Sequence, residues 1–148
     1  MGDVMRHWLR VSLFFLACLG GLTTVSALAD SSNYVEFFTA NNSAYNAYLD
    51  LNNQTTDASG YRLVNTKLVD MSDTFRGWIK TNFPGGETAA YAIDPYSIDC
   101  GSKQIGEHLL VFYDSNDMPL TSYDFGGHMA PPITGSMKYY LMQKVCGF

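Results

Sequence analysis

Residues 104–125 read QIGEHLLVFYDSNDMPLTSYDF, and this stretch carries the strongest statement about the fold. Gln104 to Tyr113 and Leu120 to Phe125 are apolar-aromatic runs, and between them Asp114-Ser115-Asn116-Asp117-Met118-Pro119 is a string of turn-forming residues. Two such runs joined by a short polar turn predict adjacent antiparallel strands. Upstream, Ala44 to Leu51 alternates, with Tyr45, Ala47, Leu49 and Leu51 on one face and Asn46, Tyr48 and Asp50 on the other. Tyr34 to Ala40 reads as a strand before the turn Asn41-Asn42-Ser43, and Tyr61 to Met71 as a third strand after the polar loop Asn52 to Gly60. Thr74 to Asn82 is expected to be a fourth. Pro84-Gly85-Gly86 breaks the chain, and Thr88 to Ile93 is too short between Pro84 and Pro95 to be assigned.

Downstream, Gly126-Gly127 and Pro131-Pro132 force an irregular connection. Ser136 can then cap a closing helix whose apolar positions Met137, Tyr140, Leu141 and Val145 recur at helical spacing. Lys144 suits the last turn and Gly147 the stop. The expected class is α+β, mostly β: a curved antiparallel sheet of about six strands with one C-terminal helix docked on it.

The N-terminal region has a different character. Arg6 and Arg10 precede an apolar run from Val11 to Leu22, and Ala27-Leu28-Ala29 presents the small-x-small pattern of a cleavage site. Residues 1–29 therefore read as a signal peptide and 30–148 as one domain beginning at Asp30. Gly20, Gly21 and the polar Thr23, Thr24 and Ser26 interrupt the run before it reaches the length of a membrane span, about 20 residues. Phe15-Leu16-Ala17-Cys18 also resembles a lipoprotein box, so a lipid on Cys18 stands as the competing route, and with it the one expected membrane contact.

Cleavage after Ala29 changes the cysteine count. The precursor has 3 Cys, and losing Cys18 leaves Cys100 and Cys146 as an even pair in an oxidising compartment. They can form a single intramolecular bridge between sheet and closing helix; two free buried thiols or an intermolecular link are the other arrangements. Removing Arg6, Arg10 and Asp3 with the leader takes the net charge from −5 to −6. So acidic a surface argues against nucleic acid and anionic lipid as partners.

Three segments place the domain more closely. Tyr96-Ser97-Ile98-Asp99-Cys100, then Val111-Phe112-Tyr113-Asp114, then Pro131-Pro132-Ile133-Thr134-Gly135-Ser136 with the closing Val145-Cys146, resemble in order and spacing the bacterial surface-adhesin E family. Tyr48-Leu49-Asp50 is similar to the family's early Tyr-x-Asp strand, whereas Met71 to Glu87 is longer than the corresponding stretch. The resemblance implies an antiparallel sheet with a C-terminal helix, a Cys100 to Cys146 disulfide, and a periplasmic or outer-surface location in a Gram-negative bacterium. It also implies a protein ligand, either a host extracellular-matrix or serum protein or another envelope protein. A second copy of the chain stays open as a partner.

Chemistry points the same way. No Gly-x-Ser-x-Gly elbow is present, and Ser136 is better explained as a cap. His108 and His128 lack ligand-type partners at metal spacing, Asp114 to Pro119 departs from a calcium loop at its fifth and sixth positions, and no glycine-rich phosphate loop occurs. No metal, cofactor or catalytic residue is expected, and the chain is read as a non-enzyme. With 10 Tyr in the chain, surface recognition remains, and Tyr45, Tyr48, Tyr123 and Tyr139 are the candidate contacts.

Overall fold

Val64, Thr66 and Leu68 are buried while Leu63, Asn65 and Lys67 between them are not, and this period of two makes Arg62–Val69 a strand with one face on the core. In the computed structural model, which describes residues 33–148, that strand (β4) lies near the centre of an open, curled antiparallel sheet. The others are β1 (Tyr34–Thr39), β2 (Asn46–Asp50), β3 (Thr55–Thr56), β5 (Tyr91–Asp99), β6 (Gln104–Glu107), β7 (Leu109–Tyr113) and β8 (Pro119–Asp124). The main order is β1-β2-β4-β5-β7-β8, a meander; β3 extends along β4, and β6 along β5. Both helices, α1 (Asp73–Asn82) and α2 (Met137–Cys146), contribute core side chains to the same face. The signal-peptide reading of residues 1–29, and Cys18 with it, lie outside the described residues.

Several elements differ from the expectations, among them the short β3 inside the expected loop Asn52 to Gly60. The segment expected as a fourth strand is α1. Ser72 Oγ accepts from Phe75 N–H at 3.3 Å, Asp73 stands in the first turn and Lys80 in the last, and Phe75, Trp78 and Ile79 fall on one stripe at spacings of three and four. Its aromatic and β-branched content suggested a strand, but the spacing wins. The end of the unassigned Thr88 to Ile93, from Tyr91 on, opens β5, which runs straight through Pro95. Pro95 cannot donate to its neighbour, and β6 and β7 break opposite it. His108 N–H donates to the Pro95 carbonyl at 3.0 Å, and the register moves from Ile93↔Val111 to Tyr96↔Glu107 with one extra residue on the β6–β7 side. The run Gln104 to Tyr113 is therefore two strands. The extra residue lets Ile105 and Glu107 share a face with Leu110 and Phe112.

The core has two lobes on that face. Under α1, Ile79 packs with Leu68, Ala92 and Phe112; under α2, Leu141, Met142 and Val145 pack with Val64, Tyr96 and Ile98. Tyr140, expected on the buried stripe, is 42% exposed and rests against Phe38 with ring centres 5.6 Å apart, while Met142 takes the inner position. Thr66 and Asp94, a cross-strand pair, lie at the junction of the lobes, with Thr66 Oγ1 donating to the Asp94 carbonyl at 3.1 Å.

Each helix is tied at its weak end. Arg76 holds α1 by donating to the carbonyls of Met71, Glu87 and Ala89. Cys146 is disulfide-bonded to Cys100, just past the end of β5, with Cα atoms 5.6 Å apart. Arg62 donates to the Val145 carbonyl at 2.5 Å, and Gly147 ends α2 in the left-handed conformation. At the other end Ser136 Oγ accepts from Tyr139 N–H at 3.3 Å. Ser136→Ala is expected to cost about 1 kcal/mol in urea denaturation; an unchanged midpoint would mean that docking alone holds the first turn.

Candidate functional site

Where the two lobes meet, the sheet face is left uncovered between α1 and α2, and the space is a cavity of about 610 Å³. Phe75, Trp78 and Phe83 line it from the α1 side, Leu110 and Phe112 from the sheet, and Ile133 and Met137 from the α2 side. Its mouth carries apolar side chains in contact with solvent: Ile133 is 81% exposed and Trp78 50%. This is the usual composition of a ligand site, apolar walls around a few convergent polar groups.

The polar groups come from three elements. Asp94 and Tyr96, two apart on β5, point to the same face, and the tyrosine hydroxyl donates a short hydrogen bond to Asp94 Oδ2. Glu107 is the cross-strand partner of Tyr96 on β6 and lies alongside Asp94. Lys138, one residue into α2, reaches Glu107 Oε2 with its Nζ at 2.5 Å and passes 5.8 Å from the Tyr96 ring centre. Asp94 is 3% exposed and its Oδ1 faces no donor among the described residues. Burial, and then the Glu107 charge, push its carboxyl up to about 8, against the Tyr96 hydroxyl and Lys138, which pull it down. Burial and the adjacent carboxyl thus favour a proton held by the Asp94–Glu107 pair. Burial and the two neighbouring carboxyls likewise raise Tyr96 well above the ordinary phenol range.

The opposite sheet face carries a second cluster. Lys67 sits 4.3 Å from the Tyr91 ring centre and 5.5 Å from that of Tyr34, and Tyr91 stacks on Tyr113 at 5.0 Å. Tyr48 pairs across strands with Lys67, its hydroxyl donating to Glu36 at 3.0 Å. Four tyrosines around one lysine thus make a partly exposed amphipathic patch across the sheet. On the same face Ser97 Oγ and His108 Nε2 are 2.7 Å apart, but Ser97 is buried. The contact bridges β5 to the point where β6 and β7 part.

The four tyrosines singled out from sequence do not share a surface. Tyr45 turns to the helix side, 4.6 Å from Phe75, and lines the cavity; Tyr48 belongs to the opposite patch. Tyr123 packs edge-on against Phe83 at 4.9 Å with its hydroxyl donating to the Pro84 carbonyl, and Tyr139 sits on α2, its hydroxyl accepting from Gln143. Sequence reasoning missed Asp94, Glu107 and Lys138 altogether. One signal was present: Asp94-x-Tyr96 places a carboxylate and a phenol on the face that Ala92 and Ile98 mark as buried.

The fold and its cavity define a class: a small disulfide-closed α+β domain with both helices on one face of an antiparallel sheet. No family model matches the chain, and no curated protein matches it. Two solved structures do. Protein E of Haemophilus influenzae, in crystal form II, superimposes with a TM-score of 0.52 at 14% identity over 77% of this chain and 95% of that one. Protein E from non-typeable Haemophilus influenzae is 15% identical over 78% of this chain and 76% of that one, with a TM-score of 0.47. The domain has the surface-adhesin E-like fold, as the sequence resemblance implied. At such identity the likeness concerns the fold and assigns no residue a role.

Proposed function

We propose that this chain is the precursor of an exported binding protein of a Gram-negative bacterium, cleaved before Asp30, that recognises an extracellular-matrix or serum protein at the cell surface. The observation that carries the reading is the patch of Tyr34, Tyr48, Tyr91 and Tyr113 around Lys67. Rigid aromatic side chains with polar tips supply large contact area at little entropic cost, which is what protein-recognition surfaces use. The adhesin E-like fold and the signal-peptide pattern support it.

The test uses the oxidised protein recovered after export, passed over immobilised matrix extract and serum proteins. Capture is expected, and Tyr48→Ala with Tyr113→Ala should weaken it by about tenfold or more while the thermal midpoint stays close to that of the parent. Protease added to intact cells should remove the protein. A protease-shielded protein that co-purifies with envelope proteins would instead make it a periplasmic component, and no capture from either source would overturn the reading.

A further inference from the structure

The cavity between α1 and α2 is on the opposite sheet face from the tyrosine patch, and its polar end is short of one positive charge. Two carboxyls, Asp94 and Glu107, lie side by side there, and the single ammonium among the described residues of the cavity, Lys138, is committed to Glu107 at 2.5 Å. As two carboxylates neither can donate to the other, so the contact is favourable only with a proton or a cation between them. Asp94 Oδ1 has no donor among the described residues, although Asp94 lines a cavity with room for a ligand. The remaining walls are mostly aromatic and aliphatic, with His128 and Ser136 beside them.

We propose that this cavity binds a small amphipathic amine, with its apolar body against Phe75, Phe83 and Phe112 and its ammonium group on the paired carboxyls of Asp94 and Glu107. A neutral apolar guest would fill the walls and make no use of the polar end, leaving the two carboxyls to share a proton as they do without it. An anionic guest would add a negative charge beside Glu107, whose partner Lys138 is already taken. A protonated amine supplies the missing charge, donates to both carboxyls in a water-poor site, and gains from the surrounding rings. The volume falls in the range that holds ligands of drug size. The inference does not depend on the tyrosine patch, and either can fail alone.

Binding is coupled to a proton. Asp94 must release its proton to receive the ammonium, so affinity should rise by about tenfold per pH unit up to about pH 8 and level off above it. Among the described residues, the titratable or charged groups facing Asp94 are Tyr96 on β5, Glu107 on β6, Lys138 on α2 and Tyr45 just before β2; His128, from the loop after β8, lines the same cavity. An alkylamine stays protonated across this range, since its pKa is about 10.

The experiment is calorimetric titration of the oxidised exported protein with 4-phenylbutylamine, and with the alcohol and the carboxylate of the same carbon skeleton. The amine should bind about tenfold or more tighter than the alcohol, and the carboxylate weaker than either. Asp94→Asn should abolish the amine's advantage and its pH dependence while the alcohol binds as before, which shows that the variant is folded. Glu107→Gln should reduce the same advantage and serves if the Asn variant does not fold; His128→Gln should leave the pH profile in place. Equal affinities for amine and alcohol, an Asn variant that keeps the preference, or a cavity that takes none of the three probes would each overturn the proposal.

Discussion

With Cys100 and Cys146 both replaced by Ser, the domain should lose about 4 kcal/mol of stability and about 15 °C of thermal midpoint. The bridge spans 46 residues, and the chain entropy it removes from the unfolded state sets that magnitude. The closed loop contains β6, β7, β8 and the connection to α2, so the unfolded chain is constrained over much of the sheet. Native contacts amplify the effect locally. The bond pins the last residue of α2, where Val145 enters the core and Arg62 holds its carbonyl. Without it the last turn of α2 should exchange its amide hydrogens much faster than α1, which Arg76 ties independently of the bridge. Urea denaturation of the oxidised parent and the double-serine variant measures the difference. A loss under about 1 kcal/mol would mean that the loop is already constrained in the unfolded chain, or that strain in the native bridge offsets the entropy.

The elements that were legible in the sequence are those whose signals are local. β4 shows its alternation, the turn after Tyr113 shows its Asp-rich chemistry, and α2 carries a cap, a stripe and a stop within twelve residues of Ser136. α1 carried the same kind of signal in Ser72, Asp73 and the Phe75, Trp78, Ile79 stripe, but β-forming side chains outweighed it in the reading. β5 was obscured by a residue that normally forbids a central strand. Pro95 is tolerated because the neighbouring strand breaks opposite it, and that accommodation belongs to β6 and β7. The cavity is tertiary in the same sense: Asp94, Glu107 and Lys138 lie on three elements and meet because the β6–β7 bulge turns Glu107 inward and α2 starts beside it. The alternation through Tyr45 and Tyr48 did separate those two, which point to opposite faces, but Tyr123 and Tyr139 sit on other elements whose placement is tertiary.

The second large effect is expected at Asp94. In the unfolded chain its carboxyl titrates near the ordinary 3.8, and in the folded protein near 8. Between those values folding takes up a proton, the native state binding more protons than the unfolded one, so stability falls as pH rises. The slope from this group approaches about 1.4 kcal/mol per pH unit and flattens above about pH 8, where Asp94 is ionised in both states. Asp94→Asn removes the group: its amide can accept from Tyr96 and donate to Glu107, restoring a hydrogen bond without a titrating proton. The variant should match the parent near pH 4.5 and become progressively more stable than it through pH 6 and 7.5, reaching a few kcal/mol at pH 9. Urea denaturation at those four values gives the difference directly, and the other titrating groups largely cancel between the two proteins. A difference that stays constant with pH would mean that the pair holds no extra proton. If the cavity takes an amine, the same measurement in saturating 4-phenylbutylamine should lose its slope, because the ammonium occupies the place of the proton and Asp94 then enters the folded state already ionised.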